Sequence, residues 1–141
     1  MKTKPQFLSQ TKIAFGFLAP AGFGIVSEYE GTYASFKDGF SVTYSSPLVS
    51  ITVSYGDMEF DIVFQKEESR ASYLFLDHNL FSNASGLSGP MFPIDKLAPV
   101  IEDVARDISI HYGGILSGEI RIWTKIKKLR SAPVTPNRHL P

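Results

Sequence analysis

Cysteine is absent from the 141 residues. That excludes disulfides, thiolate nucleophiles and thiolate metal sites. Charge of either sign in excess is also absent, since 14 Lys and Arg balance 14 Asp and Glu. General nucleic-acid binding, which draws on a basic surplus, is not expected, and neither is an acidic nucleic-acid mimic. No run of eighteen apolar residues occurs, so no membrane span is expected. The N-terminus is basic, but Ser9, Gln10, Thr11 and Lys12 interrupt the apolar stretch a signal peptide needs. A cytoplasmic location is expected, and the sequon Asn83-Ala84-Ser85 carries no meaning there. The length suits one α+β domain over residues 1–130, with a proline-rich tail, 131–141, expected to be disordered.

What the chain does have is a long alternation between residues 40 and 65. Phe40, Val42 and Tyr44 alternate with Ser41, Thr43 and Ser45. Val49, Ile51, Val53 and Tyr55 alternate with Ser50, Thr52 and Ser54. Met58, Phe60, Ile62 and Phe64 alternate with Glu59, Asp61, Val63 and Gln65. Period two is the mark of a half-buried strand, and these runs predict an antiparallel meander with one apolar and one polar face. Pro47 breaks the first interval, and Gly56, at positive φ beside Asp57, is expected to break the second. At about 1.5–3 kcal/mol per large side chain, the apolar face gains much from burial and needs a covering layer.

The flanks supply candidates for that layer. Pro5, the spacing of Phe7, Leu8, Thr11, Ala14, Phe15 and Leu18, and the stop at Pro20 and Gly22 predict a helix over 5–19. Residues 23–37 read as a hairpin turning at Glu30-Gly31, with a second turn at Asp38-Gly39 leading into the meander. That makes five strands. Residues 66–71 read as a charged connector, and 73–76 as either a sixth strand or the first turn of a helix. Residues 82–93 form a loop rich in Gly, Ser and Pro.

Leu97, Val100, Ile101, Val104, Ala105 and Ile108 predict the main helix over 95–112, with Asp95 as a cap, Pro99 in the first turn and a left-handed stop at Gly113-Gly114. Residues 115–130 read as a last helix presenting Leu116, Ile120, Trp123 and Lys127, with Ile126 beside them. An edge strand over 118–126 is the alternative. The N-terminal helix and the C-terminal helices together are expected to cover one face of the sheet.

No catalytic signature stands out. Asp77-His78 pairs a carboxylate with an imidazole, but neighbouring side chains rarely face each other and no nucleophile motif accompanies them. Asp103, Asp107 and His111 share a helix face at i, i+4 and i+8, the spacing of a ligand stripe, yet that face lies away from the apolar one. The segment from Ser85 to Pro90 lacks the spacing of a nucleophile elbow and the lysine of a phosphate loop. Lys125, Lys127, Lys128 and Arg130 crowd the end of the last helix, where the helix dipole favours cations. With Trp123 one turn back, that end is also a candidate contact for nucleic acid or anionic lipid. No catalytic residue, metal or cofactor is assigned. The binding candidates are Ser41, Thr43, Ser50, Thr52, Glu59 and Asp61 on the polar sheet face, with Ser85 and Ser88 in the loop. A flat face short of long side chains loses little side-chain entropy on docking.

The succession FGFLAPAGFGIV, a short helix running into a strand, followed by VTYSSPLVSITVSYGDMEFDIVF, resembles small bacterial proteins that include immunity proteins of polymorphic toxin systems. The resemblance spans residues 13–65 and implies a domain that binds a protein partner. With no catalytic constellation in the sequence, a non-enzymatic, cytoplasmic domain, monomeric or homodimeric, is expected. Two other readings stay open. One is an enzyme or small-ligand protein with a pocket between the sheet and the 95–112 helix, using His78 or His111. The other is a secretion-chaperone-like dimer.

Overall fold

The computed structural model describes residues 4–33, 36–82, 85–87 and 89–131. Five strands form one open antiparallel sheet in chain order: β1 (Gly24–Tyr33), β2 (Phe36–Ser45), β3 (Ser50–Gly56), β4 (Glu59–Lys66) and β5 (Ser69–Ser72). The helices are α1 (Lys4–Ala14), α2 (Tyr73–Asn79), α3 (Leu97–His111), α4 (Gly113–Leu116) and α5 (Ile120–Ser131). Short 3-10 turns at Gly16–Leu18 and Ile94–Lys96 follow α1 and precede α3. The fold is therefore α+β, with helices from both ends of the chain on one side of the sheet. Among the described residues, no helix is long and apolar enough to cross a membrane.

The apolar set of the meander is buried as its period requires. Phe40, Val42, Tyr44, Val49, Ile51, Val53, Tyr55, Phe60, Ile62 and Phe64 join α1, α3 and α5 in one core. Phe7, Leu8, Phe15 and Leu18 come from the N-terminal segment, Leu97, Ile101, Val104 and Ile108 from α3, and Trp123 and Ile126 from α5. Slipping any of these strands by one residue would exchange the apolar set for the hydroxyls, so the register is held by burial.

Met58 departs from the inward set. Gly56 pairs with Glu59, which leaves Asp57-Met58 as a two-residue turn, and both residues take positive φ (51° and 66°). That is the type I′ geometry whose twist matches the flanking strands. Met58 is 48% exposed there, and Gly56 itself stays extended in the ladder.

The expected turns at Glu30-Gly31 and Asp38-Gly39 are also absent. Both glycines lie inside long strands, where Gly31 pairs with Gly39 and the pairing continues to Tyr33 with Phe36. The connector 66–71 is likewise ordered. Glu67 and Glu68 make a tight reversal, with Glu67 at φ 55°, and residues 69–72 return as β5. Ser72 then caps α2 by accepting the Phe75 N–H at 3.1 Å, which settles residues 73–76 as helix.

At the C-terminal side, α3 does not end on a left-handed glycine. Tyr112 closes it at φ −103°, and Gly113 and Gly114 begin α4. At Gly114 an added Cβ would meet Ile122 Cδ1, the far end of a side chain that would have to turn aside. The left-handed residue is Gly118, at φ +72°, between α4 and α5.

The edge strand over 118–126 is therefore excluded, and the predicted helical stripe is rotated. Ile120 is 75% exposed, while Trp123 and Ile126 face the core with Ile115. α5 includes Ser131, whose hydroxyl donates to the Lys127 carbonyl at 2.5 Å. The expected tail from 132 lies outside the described residues.

An added Cβ at Gly118 would also sit 3.1 Å from Leu48 Cβ. Gly118→Ala is expected to cost about 1–2 kcal/mol of stability from the backbone alone, read as a lower denaturation midpoint with an unchanged slope.

Candidate functional site

The face of the sheet opposite the helices is built in cross-strand rows. Tyr29, Ser41, Ser54 and Asp61 are consecutive partners from β1 to β4. Ser27, Thr43, Thr52, Val63 and Ser72 form the next row, and Ser45, Ser50, Gln65 and Arg70 the row beyond. Thr43 and Thr52 share a hydrogen bond between hydroxyls at 3.0 Å. The structure thus brings Ser41, Thr43, Ser50, Thr52, Glu59 and Asp61 onto one surface.

Between the first row and the β3–β4 turn lies a recess of about 290 Å³. Tyr29, Gly39, Ser41, Ser54, Gly56, Glu59 and Asp61 line it, with Phe40 and Tyr55 beneath. Gly39 and Gly56 occupy outward positions of extended strands, where any other residue would project a side chain into this space. A glycine inside a strand marks such a close approach when no turn requires it. Glu59 and Asp61 are two residues apart on the same face of β4. Asp61 is half-buried, and burial pushes its carboxyl above the ordinary value. Glu59 adds to the rise, whereas the Ile62 N–H, donated to Asp61 Oδ1 at 2.9 Å, and Arg70 oppose it.

The segment at 90–92 is stitched to the same end of the sheet. Phe60 N–H donates to the Pro90 carbonyl (2.8 Å), Phe92 N–H to that of Met58 (2.8 Å), and the Tyr55 hydroxyl to that of Phe92 (2.7 Å). Met91 thereby pairs with Glu59 and lies exposed beside it.

Ser85 does not belong to this face, and Ser88 lies outside the described residues. Ser85 donates from its N–H (2.9 Å) and its hydroxyl (2.6 Å) to the two oxygens of Asp77, which is fully buried. The same hydroxyl accepts the Leu87 N–H at 3.1 Å. With its proton donated and its oxygen occupied, Ser85 staples the loop to α2. His78 turns away from Asp77 and places Nε2 3.3 Å from the Leu87 carbonyl oxygen. The Asp77-His78 pair is thus two separate loop anchors.

The stripe on α3 is also split. Asp103 pairs with Arg106 at 3.0 Å, while Asp107 accepts from the Tyr73 hydroxyl (2.5 Å) and lies 2.9 Å from His111 Nδ1. Burial and then the bond to Asp107 push the Tyr73 hydroxyl well above the usual tyrosine range. Tyr73, Ser85, Val100, Asp103 and Asp107 line a second hollow of about 280 Å³. Among the described residues, no three acid or histidine side chains converge on a metal position. At the cationic end of α5, Arg130 stacks over Phe75 at 5.0 Å, and Trp123 is buried with its indole N–H donated to the Ile115 carbonyl (3.0 Å). Trp123 is a core residue, not part of that cationic surface.

Sequence patterning identifies the outward residues but misses Tyr29, Gly39, Gly56 and Asp77. The first three acquire meaning only through the register that aligns them, and Asp77 through a loop that folds back on it. No family model matches the chain, and no curated protein or solved structure matches it.

Proposed function

We propose that the protein is a non-enzymatic binding domain that docks a protein partner through the open polar face of its sheet, in the manner of an immunity protein that blocks a toxin. The observation that carries this reading is the glycine-lined recess in a flat field of hydroxyls. Short Ser and Thr side chains held in a ladder lose little entropy on docking, and a recess gives a partner one point of insertion. The proposal places the domain in the cytoplasm, as a monomer or homodimer, without nucleic-acid or membrane partners and without a cofactor.

Thr52→Arg tests it, because Thr52 stands at the centre of the face on β3. The substitution is expected to change stability by less than about 1 kcal/mol. It should abolish both retention of the partner from the native host and protection of cells against the partner toxin. Ser109→Arg, on the exposed side of α3, should preserve both. Equal retention by the Thr52→Arg protein, or none by the wild type, would overturn the reading.

A second reading, a small-ligand protein or enzyme, has one observation in its favour. The hollow beside α3 contains a carboxylate, Asp107, within hydrogen-bond reach of a histidine, His111. Loss of function in Asp107→Asn, with the Thr52→Arg variant fully active, would favour it.

A further inference from the structure

We propose that the recess is an anchor pocket for one cationic side chain, an arginine or a lysine, presented by the protein partner. This rests on the sheet-face reading above and specifies the chemistry of its contact point.

At about 290 Å³ the recess sits at the lower bound of the range of about 300–1,000 Å³ typical of small-molecule pockets, and it has room for a single inserted side chain. Ser41, Ser54, Glu59 and Asp61 offer hydroxyl and carboxylate oxygens, and among the described residues that line it none is a lysine or arginine. Two carboxylates side by side on one strand repel each other, and Asp61 is in addition partly withdrawn from water. A guanidinium or ammonium set between them relieves both penalties and gains charge-assisted hydrogen bonds.

Two exposed thioethers flank Glu59. Met58 precedes Glu59 in the chain and Met91 pairs with it across the bridge, and both are exposed. Flexible thioethers adapt to the aliphatic stem that carries an arginine or lysine head group. A bound divalent cation fits less well, because among the described residues the recess offers two carboxylates and no third acid or histidine ligand.

The test is a titration of the full-length, ¹⁵N-labelled protein with N-acetyl-L-arginine methylamide, followed by amide shifts. The norleucine analogue and methyl α-D-glucopyranoside serve as controls. The expected result is saturable shifts centred on Gly39, Gly56, Glu59 and Asp61, weakened about tenfold or more in Asp61→Asn, as expected for the loss of a charged hydrogen-bond partner. Asparagine keeps an Oδ1 acceptor for the Ile62 N–H, so the strand is preserved.

A second readout guards against misfolding. Because the folded pKa of Asp61 is raised above 3.8, the native state holds its proton more tightly than the unfolded chain. Stability from this group is therefore greatest below that value and declines as pH rises through the folded pKa. Asp61→Asn should raise the melting temperature at neutral pH, with the gain vanishing in acid.

Equal shifts from the norleucine analogue or the glucoside, or shifts unaltered in Asp61→Asn, would overturn the inference. If no arginine response appears while Thr52→Arg still abolishes partner retention, the cationic anchor falls and the docking face stands. An arginine response accompanied by normal partner retention in Thr52→Arg overturns the docking face and the protein source of the cation together.

Discussion

Tyr112→Ala is expected to cost about 3–5 kcal/mol of stability, whereas Tyr112→Phe should stay within about 1 kcal/mol of the wild type. Tyr112 is 1% exposed and sits where several elements converge. Its ring stacks on Phe64 of β4 at 5.4 Å, on Tyr73 of α2 at 5.6 Å, and on Phe81 at 4.5 Å. Its backbone closes α3 through the N–H donated to Ile108 (3.0 Å) and opens α4 through the carbonyl that accepts from Leu116 (2.9 Å). Removing the ring leaves a void facing three aromatic neighbours, which cannot all collapse into it. The hydroxyl behaves differently, because it is buried with no hydrogen-bond partner among the described residues. Replacing it with hydrogen removes an uncompensated polar atom and no bond. Urea unfolding of the two variants separates the contributions of ring and hydroxyl. A phenylalanine variant as unstable as the alanine one would show that the hydroxyl, and not the stack, holds the junction.

The core was readable because its code is redundant. Every inward residue from Phe40 to Phe64 repeats the same period, so an error at one position, Met58, left the sheet intact. The turns had no such redundancy. Glycine serves two physical ends, permitting positive φ and leaving space bare, and the chain uses it for the second where its neighbours suggest the first. Asp38-Gly39 looks like a hairpin turn, but Gly39 lies in a strand and lines the recess, while the turn at Asp57-Met58 uses two non-glycine residues at positive φ. β5 escaped notice because Ser69–Ser72 is short and polar, with only Ala71 buried. The candidate face was visible through the same alternation as the core, since the outward residues are its complement. The recess was not, because it depends on Tyr29, Ser41, Ser54 and Asp61 meeting across four strands, an alignment that no single segment displays. Ser85 reads as a binding candidate in its loop, yet its partner, Asp77, lies eight residues back and buried, a contact that no local spacing announces.

The largest response to solution conditions is expected in alkali, where the protein should unfold cooperatively as pH climbs past 10. Burial, and then Glu28, push the Tyr44 hydroxyl up from 10.0 to about 12. Tyr73 is raised further by burial and by the proton it donates to Asp107. Tyr112 is raised by burial and by the charge of Tyr73, Asp107 and Asp77 around it. The sign follows directly. Above pH 10 the unfolded chain releases these protons and the folded one keeps them, so the native state binds more protons and stability falls with pH. Each such group contributes a slope of about 1.4 kcal/mol per pH unit between its unfolded and folded values. Three together approach about 4 kcal/mol per unit, against a total stability of about 5–15 kcal/mol for an ordinary domain. Phenolate absorbance from the buried tyrosines should therefore appear with the loss of circular dichroism and not before it. Burial, and then Asp95, raise Tyr55 as well, so Tyr112→Phe removes one of four such groups without removing the stack, and it should flatten the alkaline slope by about a quarter and move the midpoint upward. An unchanged slope in that variant would mean that the Tyr112 hydroxyl ionises in the folded protein as freely as in the unfolded chain, and is therefore reached by water.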